Sequence, residues 1–143
     1  MSDFDSQIMQ VLEGYKAAVL AKDVDAFIKL YDQDVRVFDA WGTWSYQGAA
    51  AWRQIVQQWF ASLGEESVAV SMEDVHVTGA KDMAVISAMV TYAGISSTGE
   101  RVRAMQNRLT WAMSRMGDSW GIVHEHTSAP IDFDDLKAIL ERN

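Results

Sequence analysis

The stretch His124-Glu125-His126-Thr127-Ser128 concentrates more candidate chemistry than any other part of this chain. It closes a hairpin, Asn107 to Pro130, whose two strand-like runs meet at Gly117-Asp118. Residues two apart on a strand point to one face. His124 and His126 would therefore hold a metal if a third ligand converged on them. The remaining histidine, His76, falls on a different strand-like run, and no acid is clearly placed to help. The pattern therefore predicts no metal site. Glu125 is an acid in an apolar strand, and burial would raise its pKa and suit it to proton transfer. The alternative is a structural ion pair with Arg108 across the hairpin, since a two-residue turn puts Arg108 opposite Thr127, one step from Glu125. Upstream, the segment Ala40 to Gly48 spends Trp41, Trp44 and Tyr46 on a stretch without clear periodicity. Such a loop covers something apolar, and Trp41 and Trp44 are candidates for closing over a flat ligand.

Composition narrows the classes of function. The chain has 143 residues and a net charge of −8. That length suits one domain with one core, here residues 1–143. The negative charge argues against nucleic acid or an anionic membrane as partner. There is no cysteine, hence no thiol nucleophile, thiolate metal site or disulfide. No apolar stretch approaches the ~18 residues of a membrane helix. The acidic start, MSDFDSQIMQ, lacks the basic segment and apolar run of a secretory signal, so a cytoplasmic location is expected. Six tryptophans and eight methionines suit a core, an interface or a small-molecule pocket. Gly-rich phosphate loops, nucleophile elbows and His-Glu-x-x-His zinc motifs do not occur.

The elements that must position these residues follow from periodicity. Phe4, Ile8, Val11, Leu12, Tyr15 and Val19 share one helical face, predicting a helix over 3–22 that Ser2 or Asp3 would cap. Asp23 caps a second, over 23–31, with Phe27, Leu30 and Tyr31 on its apolar face. Asp32-Gln33-Asp34 reads as a turn, and a strand begins at Val35. A third helix covers 49–63, with Trp52 and Trp59 on its core stripe and Gly64 at its end. The period then becomes alternating. Strands are expected over about 66–79, bent near Glu73-Asp74, then 83–96, 101–116 and 119–127, with a short C-terminal helix or tail after Pro130. Helices followed by a meander of long strands define an α+β arrangement, a curved, mostly antiparallel sheet wrapped over helices. An alternating sheet whose second face is only partly polar suggests an oligomer contact.

This order, and the ending Gly117-Asp118-Ser119-Trp120-Gly121-Ile122-Val123-His124-Glu125-His126-Thr127-Ser128, resemble the nuclear transport factor 2-like superfamily, whose fold is a cystatin-like cone. That group includes ketosteroid isomerase, SnoaL-type polyketide cyclases and the association domain of calcium/calmodulin-dependent protein kinase II. Tyr15 to Asp23, Leu30-Tyr31 and Val37-Phe38-Asp39 are similar to the first third of the isomerase. The resemblance implies that Tyr15 donates a hydrogen bond to a substrate oxygen and that Asp39 moves a proton, a role that desolvation among aromatics would favour. The alternative for both is structural: Tyr15 in the core, Asp39 capping a loop. Counting back from the turn, the isomerase's second, protonated acid falls at Trp111, and Met113 also points to the cavity. A tryptophan cannot take that acid's role, and the arginine of the kinase association domain at this position is absent too. The family's pairing turns Val123, Glu125 and Thr127 inward. It leaves His124 and His126 with Trp120 and Ile122 on the outer, sheet-contact face, unless one bulge reverses the parity.

These readings converge on a protein that binds a small, largely apolar organic ligand in an aromatic-lined cavity. Trp41, Trp44, Trp52, Trp111, Met113 and Thr127 would line it. Any chemistry would be cofactor-free: isomerisation, cyclisation, hydration or dehydration, with Asp39 as base, Tyr15 as donor and Glu125 as auxiliary acid. The competing expectation is a non-catalytic association or ligand-sensing domain, and a homodimer through the convex sheet face is expected either way.

Overall fold

A computed structural model describes residues 3–142. Helix α1 spans Asp3–Ala21 and buries Ile8, Leu12, Tyr15 and Val19, positions that return to one side every three or four residues. Ser2 lies outside the described residues, as does the side chain of Asp3, and with them the expected N-cap. Lys22 takes a left-handed conformation, and its ammonium donates to the carbonyls of Gly64 and Glu66 at 2.8 Å each. Asp23 caps α2 (Val24–Ile28), accepting from the Ala26 N–H at 3.0 Å.

Helix α2 is shorter than its sequence pattern, and the expected turn at 32–34 lies inside strand β1, Tyr31–Phe38. The reason is tertiary. β1 runs parallel to the last strand, β6 (Ser119–Ser128), and the Ile122 N–H donates to the Leu30 carbonyl at 2.9 Å. A partner nearly ninety residues away supplies the ladder that local propensity cannot announce. Within the aromatic loop, Tyr46–Gln47 forms a short strand, β2, antiparallel to β1. Helix α3 (Ala49–Ser62) follows and buries Trp52, Val56 and Phe60.

The long strands are β3 (Ser67–Gly79), β4 (Met83–Ile95) and β5 (Arg101–Met116). Asp74 adopts positive φ where the β3–β4 register slips between Glu73 and His76, so the expected bend is a bulge. The sheet order is β2-β1-β6-β5-β4-β3, antiparallel except for β1 with β6. Ile86, Val90, Leu109, Trp111 and Met113 turn toward the helices and form one core with them, as an α+β cone requires. Among the described residues after Pro130 no helix forms. Ile131 bridges Ala138, Phe133 and Leu136 are exposed, and the Gln106 N–H donates to the Leu140 carbonyl at 2.7 Å. The tail thus continues the ladder of β5 beyond the end of β6. No described helix is long and apolar enough to cross a membrane.

Candidate functional site

The parity of β6 decides what faces inward. Trp111 pairs with Glu125 and Leu109 with Thr127, but Ala112 pairs with His124 while Met113 pairs with Ile122. Val123 is the extra residue of a bulge. Glu125 and Thr127 therefore point inward as expected, yet so do Trp120 and Ile122, which are buried rather than on the outer face. Val123 is not a cavity residue. The same bulge sets Arg108 opposite Ser128, to which its Nε donates at 3.0 Å, so the ion pair with Glu125 does not form.

Between the helices and the inner sheet face lies a cavity of about 510 Å³. Its walls are apolar, dominated by Phe27, Trp52, Ile55 and Trp59 from α2 and α3, with Leu140 of the tail at its rim. Its polar side is supplied by Tyr15, Asp39, Tyr92, Asn107, Glu125 and Thr127, and Arg103, ion-paired with Glu66, also lines it. A few placed polar groups on an otherwise apolar surface are the usual anatomy of a small-molecule site.

Glu125 is the centre of this polar side and is 2 % exposed. Its Oε1 accepts the Tyr31 hydroxyl at 2.5 Å and the Trp111 indole N–H at 2.9 Å. No hydrogen bond among the described residues reaches Oε2, while the residue itself lines the cavity. Burial pushes its carboxyl up to about 7; the Tyr31 and Trp111 donors oppose that, and the nearby Asp39 charge adds to it. Near neutral pH, Glu125 can thus both give and take a proton.

Asp39 follows the end of β1 and accepts the Thr127 hydroxyl at 2.9 Å, while Thr127 Oγ1 takes the Ala40 N–H at 2.8 Å. Burial raises its pKa, against the Thr127 bond and the backbone N–H groups of Trp41 and Ala40. Tyr15 and Tyr92 share a hydrogen bond of 2.9 Å. Burial raises both hydroxyls, and that of Tyr31, so all three stay protonated.

The structure brings Tyr15, Asp39, Glu125, Trp41, Trp52 and Thr127 to one cavity. It does not bring Trp44, Trp111 or Met113 there. Trp44 is 97 % exposed and borders a second, more open cleft beside Phe38 and His126, which shares Asp39 and Thr127 with the cavity but not Glu125. Trp111 is fully buried with its indole edge-on to Tyr15 at 5.4 Å, behind Glu125 rather than in the wall. Met113 is equally buried, farther toward the hairpin turn, where the core is closed. The histidines are outside: His124 Nδ1 donates to the Arg36 carbonyl at 2.7 Å, and both rings pack edge-on against Phe38. Among the described residues no three metal-ligating side chains come together.

Tyr31, Tyr92 and Asn107 belong to the site and are not among the residues singled out from sequence. Tyr92 and Asn107 carried a usable signal, because each sits in phase with the buried residues of its strand, Ala88 and Val90 in one case, Leu109 and Trp111 in the other. A polar group on an apolar parity asks for a partner inside. Tyr31 carried only the resemblance of Leu30-Tyr31 to the isomerase, which assigned it no role, since its local context reads as helix.

An α+β cone whose curved sheet wraps over N-terminal helices is the architecture of the nuclear transport factor 2-like proteins; here it encloses a cavity holding the buried Glu125 and the half-buried Asp39. Residues 8–132 match the SnoaL-like domain, and the chain belongs to that family. Among solved structures, an NTF2-like protein of unknown function from Pseudomonas putida KT2440 is 25 % identical, with a TM-score of 0.85 over 100 % of this chain and 99 % of that one. A putative calcium/calmodulin-dependent protein kinase II association domain from Xanthomonas campestris is 15 % identical, with a TM-score of 0.73 over 86 % of this chain and 85 % of that one. A putative aromatic ring hydroxylase from Novosphingobium aromaticivorans is 19 % identical, with a TM-score of 0.67 over 97 % and 96 % of the two chains. No curated protein matches the chain. The family is one of small-molecule-binding folds, and the cavity found here is of that kind.

Proposed function

We propose that this protein binds a small, flat, largely apolar organic molecule in the cavity and performs cofactor-independent acid–base chemistry on it, by isomerisation, cyclisation, hydration or dehydration. The observation that carries the reading is the pair of carboxyl groups, Asp39 and Glu125, that line the same apolar cavity with their basicity raised by burial. Asp39, braced by Thr127, serves as base. Tyr15 donates to a substrate oxygen, where negative charge develops. Glu125, held through Oε1 by Tyr31 and Trp111, presents Oε2 as the auxiliary acid. Removing a proton at carbon and returning it elsewhere needs two groups of different proton affinity, and the environments differ: Asp39 has the Thr127 hydroxyl and two backbone N–H groups set against its burial, Glu125 the Tyr31 and Trp111 donors. Trp41 stands at the mouth, half-exposed, where it closes over the ring system.

The test is turnover across a panel of enolisable ketones, with Asp39→Asn and Glu125→Gln as controls. Positioned acid–base groups contribute roughly 10²- to 10⁴-fold, and each variant should lose activity on that scale while remaining folded. A panel with no turnover, together with no change in tryptophan emission on adding apolar ring compounds, refutes both the catalytic and the binding parts. Turnover absent with emission shifted favours the second reading, a ligand-sensing or association domain. That alternative draws on the exposed apolar side chains of the outer sheet face, Met83 and Val85. On that face we place a second copy of the chain, and light scattering after size exclusion checks it: a monomer at micromolar concentration removes the dimer.

A further inference from the structure

The cavity is lined by two acids deep in the cone and, among the described residues, by one basic side chain, Arg103. Arg103 lies on the same parity of β5 as Met105, Asn107 and Leu109, so its side chain leaves the inner face of the sheet. It pairs with Gly94 of β4, which also lines the cavity. A Cβ on Gly94 would stand 3.3 Å from Arg103 Cγ and 3.6 Å from its Cζ. The absent side chain thus lets the arginine lie across the sheet instead of rising clear of it. Its Nη2 donates to Glu66 Oε1 at 2.5 Å, and its Nη1 to Oε2 at 3.5 Å. Glu66 is itself held, because the Lys22 ammonium donates to the Gly64 and Glu66 carbonyls and ties the start of β3 to the end of α1. A guanidinium carries five N–H donors. Glu66 takes one edge of it, while the Nε–H and the other Nη hydrogens meet no acceptor among the described residues. The cavity mouth therefore carries an oriented cation with one edge open.

We infer that Arg103 is a carboxylate-recognition residue, shared between Glu66 and the ligand, and that the cavity takes an elongated, flat ring compound with a carboxylate at one end. This rests on the ligand-binding reading above and adds the substrate class and its orientation. Two coplanar oxygens match an edge of the guanidinium. A phosphate dianion does not suit the position, since one guanidinium already paired with Glu66 leaves it unneutralised on a chain of net charge −8. At the other end Asp39 and Glu125 oppose a third carboxylate beside them. The ligand's charge therefore sits at the mouth and its neutral, reacting end lies deep. Length follows from register: Arg103 precedes Leu109 on β5, and Leu109 pairs with Thr127, which donates to Asp39. That separation is about 20 Å of extended strand, shortened by the reach of the arginine. The rings between the two ends lie against Trp52 and Trp59 of α3. Arg103 is a binding residue here, and Glu66 and Gly94 position it.

The experiment is calorimetric titration of the intact protein, at low salt and neutral pH, with biphenyl-4-carboxylate and biphenyl-4-carboxamide. The two share their rings and nearly their shape and differ in charge. An ion pair at an exposed rim is worth about fivefold in affinity, so the carboxylate should bind about fivefold more tightly. Raising the salt to about 0.5 M should narrow that preference. Arg103→Met keeps a stem over Gly94 and should bring the preference to within about twofold while affinity for the amide is held. Glu66→Gln removes the competing carboxylate and should move the preference the other way, raising it severalfold. Equal binding of the two compounds, or tighter binding of the amide, overturns the carboxylate subsite and leaves the cavity reading standing. A preference that survives in Arg103→Met overturns the assignment to that residue. A preference that Glu66→Gln leaves unchanged or lowers overturns the sharing of the guanidinium. Binding of neither compound overturns the cavity reading and the subsite with it.

Discussion

Replacing Glu125 by glutamine should change how stability depends on pH. The unfolded carboxyl titrates near 4.5, whereas burial lifts the folded one to about 7. Below pH 4.5 both states hold the proton and the group is neutral to stability. Between 4.5 and 7 the unfolded chain gives up its proton while the native chain keeps it, so stability falls as pH rises. Above about 7 both are ionised and the loss is complete. Each tenfold in proton affinity is worth about 1.4 kcal/mol, so the interval from 4.5 to about 7 corresponds to about 3 kcal/mol. For a chain of this size that is a difference of about 10 °C in Tm. The glutamine side chain cannot ionise, and its carbonyl oxygen still accepts from Tyr31 and Trp111. The variant should therefore lose this part of the pH dependence and gain on the wild type by about 10 °C between about pH 4 and pH 8. Asp39, also raised by burial, adds a slope of the same sign in both proteins, so the difference reports Glu125 together with its coupling to Asp39. Thermal unfolding of both proteins across that range is the assay. A Tm difference that does not change with pH would refute the argument, because it would mean that Glu125 titrates alike in the folded and unfolded chains.

Tyr31→Phe removes one of the two donors that hold Glu125 Oε1; it should destabilise the protein by about 1.5–3 kcal/mol at about pH 8, where the acceptor is charged, and by less at about pH 5, as melts at the two pH values will read. The same change should carry the Glu125 transition to still higher pH, visible as a stability loss that ends later in the titration. Asp39→Asn relieves a desolvated carboxylate, so Tm at neutral pH should hold or rise while ketone turnover disappears; a fall in Tm would make Asp39 structural. Trp41→Ala, at a half-exposed rim position, should cost no more than about 1 kcal/mol in urea unfolding yet diminish the emission response to apolar ring compounds.

The elements with their own internal periodicity were legible from sequence alone. Helix α1, helix α3, the four long strands and the bulge near Asp74 depend on short-range pattern and on residues such as Asp23 and Gly64, whose preferences act locally. The membership of Tyr15, Asp39 and Glu125 in one cavity was legible too, through the resemblance of the hairpin and the first third of the chain to a known family. What sequence could not decide was set by pairing between distant segments. Tyr31 leaves its helix because β6 offers β1 a parallel partner. Val123 bulges, and that one extra residue returns Trp120 and Ile122 to the core, moves Arg108 opposite Ser128 and frees Glu125 for Tyr31 and Trp111. Side-chain parity on a strand has a period of two, so a single inserted residue reverses every assignment beyond it. The chemistry proposed for Glu125 is thus written in its residue type, but its partners, its burial and its raised pKa exist only once the strands have chosen their register.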